Sequence, residues 1–399
     1  MKLRKLLIIA IAGVFMFSAC SKEETVKVVT DENLVLAEDQ SGEIIEGQYV
    51  VVLNETSFKT ASNLSYDEKV NEVKTFAESM IRTKSTSEFE VGNAFAEAIK
   101  GFSVKMSKED VAKLESDSRV KYILPDRMYI MKKPVKPTDP PVDPPADDQV
   151  VPYGIARVGY GNGVGKTAWI LDTGIDYDHT DLNVDVARGR TFVRSKSADD
   201  DNGHGTHCAG TVAAIDNGFG VVGVAAGATV VPVKVLDRKG SGAYSGIISG
   251  IDYVASAASA GDAANMSLGG GVYQAIDDAV YAASQKGINF ALAAGNESDD
   301  ANNHSPARVN GPNIFTISAM DIDDNWAYFS NYGNPPVDYC EPGYSIYSTA
   351  KGGGYTTMSG TSMAAPHMCG ILLMTNGNPS KDGTVNGDPD GNADPIGTI

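Results

Sequence analysis

The chain has 399 residues, 42% of them hydrophobic and 21% charged, which is the composition of a globular protein with room for two or three domains. Its net charge of −18 argues against nucleic acid as a partner and says little about substrate. The chain opens with a basic head, Met1-Lys2-Leu3-Arg4-Lys5, and an apolar segment over 6–17 that is too short to cross a bilayer. Together these read as a secretion signal over residues 1–19, and no other stretch is long and apolar enough to span a membrane. Residues 20–47 are polar and patternless and read as a tether.

From Gln48 the pattern becomes that of a packed α+β unit, residues 48–131. Tyr49-Val50-Val51-Val52-Leu53 predicts a strand, and Val70, Val73, Ala77 and Met80 fall on one face of a helix. Phe102-Ser103-Val104-Lys105-Met106 predicts a second strand. A short helix carrying Val111 and Leu114 follows, and a strand over 119–126 closes the unit. Residues 132–148 contain Pro140-Pro141-Val142-Asp143-Pro144-Pro145, which cannot pack as helix or sheet and reads as an extended linker.

Residues 149–376 alternate strands (167–172, 229–235, 263–267, 289–294, 314–319) with helices (including 244–258 and 273–286). That is the pattern of a doubly wound parallel α/β sheet. Residues 377–399 are a polar Gly/Asn/Asp tail. Within it, 388–394 alternates oxygen donors, but its glycine is misplaced for an EF-hand, so a flexible tail is expected.

Three stretches carry chemistry. In Gly360-Thr361-Ser362-Met363-Ala364-Ala365-Pro366-His367 a serine sits at the head of an apolar helix, on the positive end of the dipole and beside unpaired N–H groups. Read alone, Ser362 is better explained as a helix cap. Trp169-Ile170-Leu171-Asp172-Thr173-Gly174 ends an apolar strand in a carboxylate and a glycine turn. Asn202-Gly203-His204-Gly205-Thr206-His207-Cys208-Ala209-Gly210 puts histidine in a small-residue helix. A serine needs a base to take its proton, and the base needs a carboxylate to fix its tautomer. We expect Ser362 as nucleophile, His207 as base and Asp172 as orienting acid, with His204 structural.

The three blocks, in the order Asp, His, Ser, resemble those of the subtilases, and His207-Cys208-Ala209-Gly210 is similar to the proteinase K branch. The resemblance implies a serine endopeptidase in which Asn296, ending Ala291-Leu292-Ala293-Ala294-Gly295-Asn296, donates to the oxyanion with the Ser362 backbone. It implies substrate contacts in two glycine-rich segments, Gly240, Ser241, Gly242 and Tyr244 in one and Ser267, Leu268 and Gly269 in the other. Small Ala294 and Gly295 would leave the primary pocket open to bulky apolar side chains. The segments YVVVLN, GFSVKMS and VKYILPD resemble the subtilase propeptide, which implies that residues 48–131 inhibit the enzyme from within and are cut away by it. An unrelated ferredoxin-like binding module is the alternative.

Pro312, Ile314 and Asp338 align with a calcium site of the proteinase K branch, although Asn334-Pro335-Pro336-Val337 is one residue longer than the family spacing. Phe17-Ser18-Ala19-Cys20 resembles a bacterial lipoprotein box, which implies a lipid on Cys20 and attachment to a membrane at the cell envelope. Protein or peptide substrates and the chain's own propeptide are the expected partners. A non-catalytic binding protein on a protease fold is the competing class.

Overall fold

The first strand begins earlier than the apolar pattern suggests. In the computed structural model, which describes residues 42–59, 61–131 and 148–399, β1 runs Glu43–Leu53, so the expected tether gives way to strand before residue 47. Its polar start pairs with the last strand of the unit, Glu43 opposite Met128 and Ile44 opposite Arg127. Cys20 and all but one residue of the expected linker lie outside the described residues.

After β1 come α1 (Tyr66–Arg82), β2 (Glu90–Phe95), β3 (Gly101–Lys105), α2 (Lys108–Glu115) and β4 (Val120–Ile130). A reciprocal capping box starts α1: the Ser65 hydroxyl accepts the Glu68 N–H, and the Glu68 carboxylate accepts the Ser65 N–H at 2.8 Å. The strand period of two divides β1 between two cores. Val51 and Leu53 face Val73, Ala77, Met80 and Leu114 of the unit's own helices, whereas Val50 and Val52 pack with residues of the following domain.

That domain is built from α3 (Tyr153–Val158), β5 (Thr167–Asp172), α4 (His204–Ala213), β6 (Thr229–Lys234), β7 (Ser241–Ala243), α5 (Tyr244–Ala257), β8 (Ala263–Met266), α6 (Gln274–Ser284), β9 (Asn289–Ala293), β10 (Ile314–Met320), β11 (Val337–Pro342), the hairpin β12 (Ile346–Ala350) and β13 (Gly354–Met358), α7 (Thr361–Thr375), β14 (Ser380–Thr384) and β15 (Pro395–Thr398). The main sheet runs β14-β15-β11-β10-β9-β8-β5-β6, continued by the short strand Asn183–Val184. All neighbours are parallel except β14 on β15. Both faces are covered, so the strands alternate between two apolar cores. Ala168 and Ile170 of β5 face α4 and α7, while Trp169 and Leu171 face α5 and α6.

The expected flexible tail is corrected here. Residues 380–384 and 395–398 extend the main sheet as β14 and β15, and Ile396 pairs with Cys340 of β11. In the loop between them, Asp390 N–H donates to Asp388 Oδ1 (3.3 Å), Asn392 N–H to Asp390 Oδ1 (2.7 Å) and Asp394 N–H to Asp388 Oδ2 (3.2 Å). Buried Asp394 accepts the Ser318 hydroxyl at 2.7 Å. A polar sequence is ordered because its oxygens are used by its own backbone and by β10.

Candidate active site

In a doubly wound sheet the strands' carboxyl ends meet helix N-termini, and reactive groups gather there. Asp172 is the last residue of β5 and fully buried. His204 is the first residue of α4, and its Nδ1 lies 2.8 and 2.9 Å from the two carboxylate oxygens of Asp172. A carboxylate only accepts, so Nδ1 carries the proton and Nε2 keeps its lone pair for base chemistry. Burial disfavours charge on His204, but the adjacent Asp172 carboxylate outweighs it and holds the imidazole pKa well above its ordinary value.

His207 is not at this carboxylate. It lies almost a full turn deeper in α4, where its Nε2 donates to the Ile346 carbonyl of the hairpin at 3.0 Å. Its Nδ1 is buried with no hydrogen-bond partner. Burial pushes its pKa down to about 3. The expectation for the two histidines is corrected accordingly: His204, expected to be structural, stands at Asp172, and His207, expected to be the base, does not. The reason is steric: at Gly205 a Cβ would lie 2.1 Å from the Gly174 carbonyl oxygen and 3.1 Å from Asp172 Cβ. The glycine lets the first turn of α4 press onto the end of β5, which brings residue 204 to Asp172.

Ser362 enters the same space from α7. Its hydroxyl donates to the Ser267 carbonyl at 3.2 Å, and its own carbonyl accepts the Ser267 hydroxyl at 2.7 Å. The Cys208 thiol is 3.4 Å from that carbonyl, 4.0 Å from His204 Nδ1 and 3.9 Å from Asp172, so it sits at the junction of all three. Burial raises the Cys208 pKa and keeps it a thiol. Cys208, Cys340 and Cys369 are all free and buried.

Asn296 follows β9. Its Oδ1 accepts the Thr361 N–H (2.8 Å) and hydroxyl (3.1 Å), which turns Nδ2 the other way. A methyl group built on Gly360 would stand 3.5 Å from Asn296 Oδ1 and 3.7 Å from both Asn296 Nδ2 and Ser362 N. The Asn296 side-chain amide thus lies close to the Ser362 N–H at the start of α7.

The first unit reaches into this space. β4 pairs antiparallel with β7, Tyr129 opposite Gly242 and Ile130 opposite Ser241, and Met131 N–H donates to the Gly240 carbonyl at 2.9 Å. Gly240 has φ +76°, and a Cβ there would come 2.9 Å from Met131 Cβ, so the glycine admits the strand. Tyr129, Ile130 and Met131 line one cleft with Leu268, Gly269, Gly295, Asn296 and Ser362. Tyr244, at the head of α5, is buried edge-on to Tyr273 beneath this strand. Ala294 does not line the cleft; it turns away and packs with Ala301, Ala307 and Val337, and Ala293 takes its place. On the outer face of α5, buried Asp252 accepts the backbone N–H groups of Ala96 (2.8 Å), Glu97 (2.7 Å) and Ala98 (2.7 Å).

Comparisons with known proteins identify the family. The subtilase family model covers residues 165–385, and the peptidase inhibitor I9 model covers residues 48–132. The chain belongs to the subtilase family. The alkaline serine exoprotease A of Vibrio alginolyticus is 37% identical over 354 residues, covering 86% of this chain and 62% of that protein. Subtilisin-like protease 3 of Arthroderma otae is 38% identical over 349 residues, 82% of each chain. The crystal structure of a cold-adapted subtilisin-like serine proteinase superposes with a TM-score of 0.54 at 37% identity, over 61% of this chain and 96% of that one. This subtilase therefore spans about six-tenths of the Vibrio protein's length.

Subtilases commonly hold structural calcium, and the structure places the three expected ligands as follows. Ile314 opens β10, with Pro312 just before it. Asp338 is the extra residue of a bulge in β11, between the pairs Thr316–Val337 and Ile317–Tyr339. The Asp338 carboxylate accepts one N–H, from Thr316 at 2.9 Å, and burial pushes its pKa up to about 6. A carboxylate is a hard oxygen donor of the kind calcium takes.

Three contributors escaped sequence reasoning. Ser267 was legible only as a substrate-loop residue, yet it ties down the nucleophile's carbonyl. Asp252 acts through backbone amides, and Asp200, buried before α4, accepts backbone amides and the Thr173 and Thr206 hydroxyls; backbone partners leave no side-chain signature in a sequence.

Proposed function

We propose that this chain is a serine endopeptidase, exported and made as a self-processing zymogen. Asp172 and His204 form the acid–base pair, Ser362 is the nucleophile, and Asn296 with the Ser362 N–H forms the oxyanion hole. The observation that carries this reading is the 2.8 Å contact of His204 Nδ1 with Asp172 beside Ser362. With its proton on Nδ1, His204 presents Nε2 to a serine hydroxyl turned away from the Ser267 carbonyl. The hydroxyl attacks the scissile carbonyl as its proton passes to Nε2, the imidazolium protonates the leaving amine, and water then releases the acyl group by the same route.

Residues 48–131 act as the intramolecular inhibitor, and their last strand lies in the cleft as a substrate would. The scissile bond should lie at an edge of the Pro-rich linker, where strand pairing ends, and of the two edges 129–133 is favoured over 148–151. Tyr129 to Met131 are in the cleft, whereas the Gln149 side chain is fastened to the 215–221 loop and Val150 bridges Val221. Extended peptides with bulky apolar side chains are the proposed substrates, held between 240–242 and 267–269 as an added strand. Membership of the proteinase K branch rests on His207-Cys208-Ala209-Gly210.

Asp338 with the carbonyls of Pro312 and Ile314 would hold calcium as a structural ion that braces β10 against β11. A lipid on Cys20 would tether the precursor at the cell envelope. Processing would then free the catalytic domain while the anchor stays with the propeptide. Nucleic acid is not a proposed partner.

A fluorophosphonate probe tests the function directly. The processed protein is expected to be labelled on Ser362, and Ser362→Ala to be silent. Labelling that persists in the variant, or a folded wild type that never labels, would overturn the reading and favour a non-catalytic binding protein.

A further inference from the structure

Asp172 and His204 lie on different elements, and their contact depends on how the end of β5 is held against the start of α4. Gly203 precedes α4 with φ +117° and offers no side chain to cap it. The acceptor comes instead from Asp200, which is only 5% exposed. Its Oδ1 accepts the Thr173 hydroxyl (3.0 Å) and the N–H groups of Asn202 and Gly203 (2.9 Å each). Its Oδ2 accepts both the N–H (3.0 Å) and the hydroxyl (2.6 Å) of Thr206. The Thr173 oxygen in turn accepts the N–H of Gly205 at 2.9 Å. Thr173 directly follows Asp172, and Gly205 and Thr206 directly follow His204. One buried carboxylate therefore bridges the residues next to each member of the pair.

We propose that Asp200 is a positioning residue of the site, an inference that rests on the Asp172–His204–Ser362 reading. All five groups that reach Asp200 donate, and a carboxylate is the side chain that accepts on every side. An asparagine of the same shape must turn its NH₂ toward one of the two donor sets. Facing Thr206, it strands the buried N–H of the first turn of α4; facing the other way, it strands those of Asn202 and Gly203. Either orientation moves the helix start relative to β5. A shift of about 1 Å in a reacting group costs on the order of 10²-fold in rate. The cleft contacts made by Gly240 to Gly242 and by Gly269 lie on other loops, so substrate binding is left in place.

The test compares Asp200→Asn, Thr173→Val and Thr173→Ser with wild type, each as the full chain allowed to process. Turnover is expressed per fluorophosphonate-titrated site. Asp200→Asn is expected to lower kcat on the order of 10²-fold while KM stays within about twofold. The far-downfield proton resonance of His204 Nδ1–H should shift or vanish although the protein remains folded by circular dichroism. Thr173→Val should follow in the same direction with a smaller loss, and Thr173→Ser should restore the wild-type resonance and rate. If Asp200→Asn does not fold, Thr173→Val against Thr173→Ser carries the same contrast. Unchanged kcat per site with an unchanged Nδ1–H resonance in Asp200→Asn and Thr173→Val would reduce Asp200 to a stability role. Failure of the wild type itself to label would instead strike the triad reading, so the two failures are told apart.

Discussion

Pro366 stands four residues after Ser362 in α7, so the helix has no N–H to offer the Ser362 carbonyl. That oxygen accepts the Ser267 hydroxyl at 2.7 Å and faces the Cys208 thiol at 3.4 Å. A proline inside the helix thus frees the nucleophile's backbone to be fastened to the loop after β8 and to α4. The same serine is the second residue of α7, where its own N–H lacks a helical partner and stays available to an oxyanion. Both properties follow from residue order, and together they set Ser362 against the elements that carry Asn296 and His204.

The exchange of the histidine roles is tested by His204→Gln against His207→Gln. The first should abolish peptide hydrolysis, by about 10⁶ in turnover if the triad acts as a unit. The second keeps an N–H donor for the buried Ile346 carbonyl but replaces a packed ring with a flexible chain, and should cost no more than about 1–3 kcal/mol of stability. Turnover per labelled site in His207→Gln should remain near wild type. Denaturant unfolding and active-site titration measure the two effects, and loss of turnover in a folded His207→Gln would contradict the geometry.

Asn296→Ala removes the side-chain amide proposed to donate to the oxyanion. Loss of such a donor costs about 10²–10³ in kcat, with little change in KM because the contact forms with the developing oxyanion. Steady-state kinetics on a peptide amide measure the split. An equal loss carried wholly by KM would place Asn296 in substrate binding instead.

The pH profile has a definite sign. Burial opposes charge on His204, Asp172 outweighs it, and the pKa lies well above the ordinary 6.5. A base must be neutral to work, so kcat/KM should fall as pH drops through that raised pKa, with an acid limb centred above 6.5. Asp172→Asn removes the stabilising charge and should move the limb of its residual activity down. By linkage, the pair's contribution to stability is complete below the unfolded value and is lost as pH rises through the folded one. A wild-type limb at or below 6.5 would contradict the assignment of His204.

Asp252 predicts how firmly the propeptide is held. Removing the acceptor of three backbone N–H groups should weaken the docked propeptide by about 2–3 kcal/mol, the scale of charge-assisted hydrogen bonds. In Asp252→Ala the processed complex should gain activity faster on dilution than wild type. Identical release rates would mean that strand pairing at β7 holds the propeptide unaided.

The strands of the main sheet were legible because two-sided burial writes itself as continuous apolar runs: 167–172 forms as read, and 229–235, 263–267, 289–294 and 314–319 shift by a residue at one end. Asp172 and Ser362 were legible as a polar residue closing or opening such a run. The histidines were not separable by pattern. His204 and His207 share a small-residue helix, and the choice between them is made by Gly205 against Gly174, a contact distant in sequence. One signal was present: His204 heads the helix, at the end where a parallel sheet gathers its chemistry. The edge strand β14, Ser380–Thr384, is exposed at every position, so no apolar alternation announces it. Its pairing with β15 is supplied by the tertiary fold.

The central claim is that this chain cuts itself through Ser362 and His204. Intact-mass measurement on wild type, Ser362→Ala and His204→Gln expressed side by side tests it most directly. The account predicts a wild-type fragment beginning within a few residues of Met131 and only the uncut precursor in both variants. Equal processing of all three chains, or an uncut wild type that hydrolyses peptides, would contradict it.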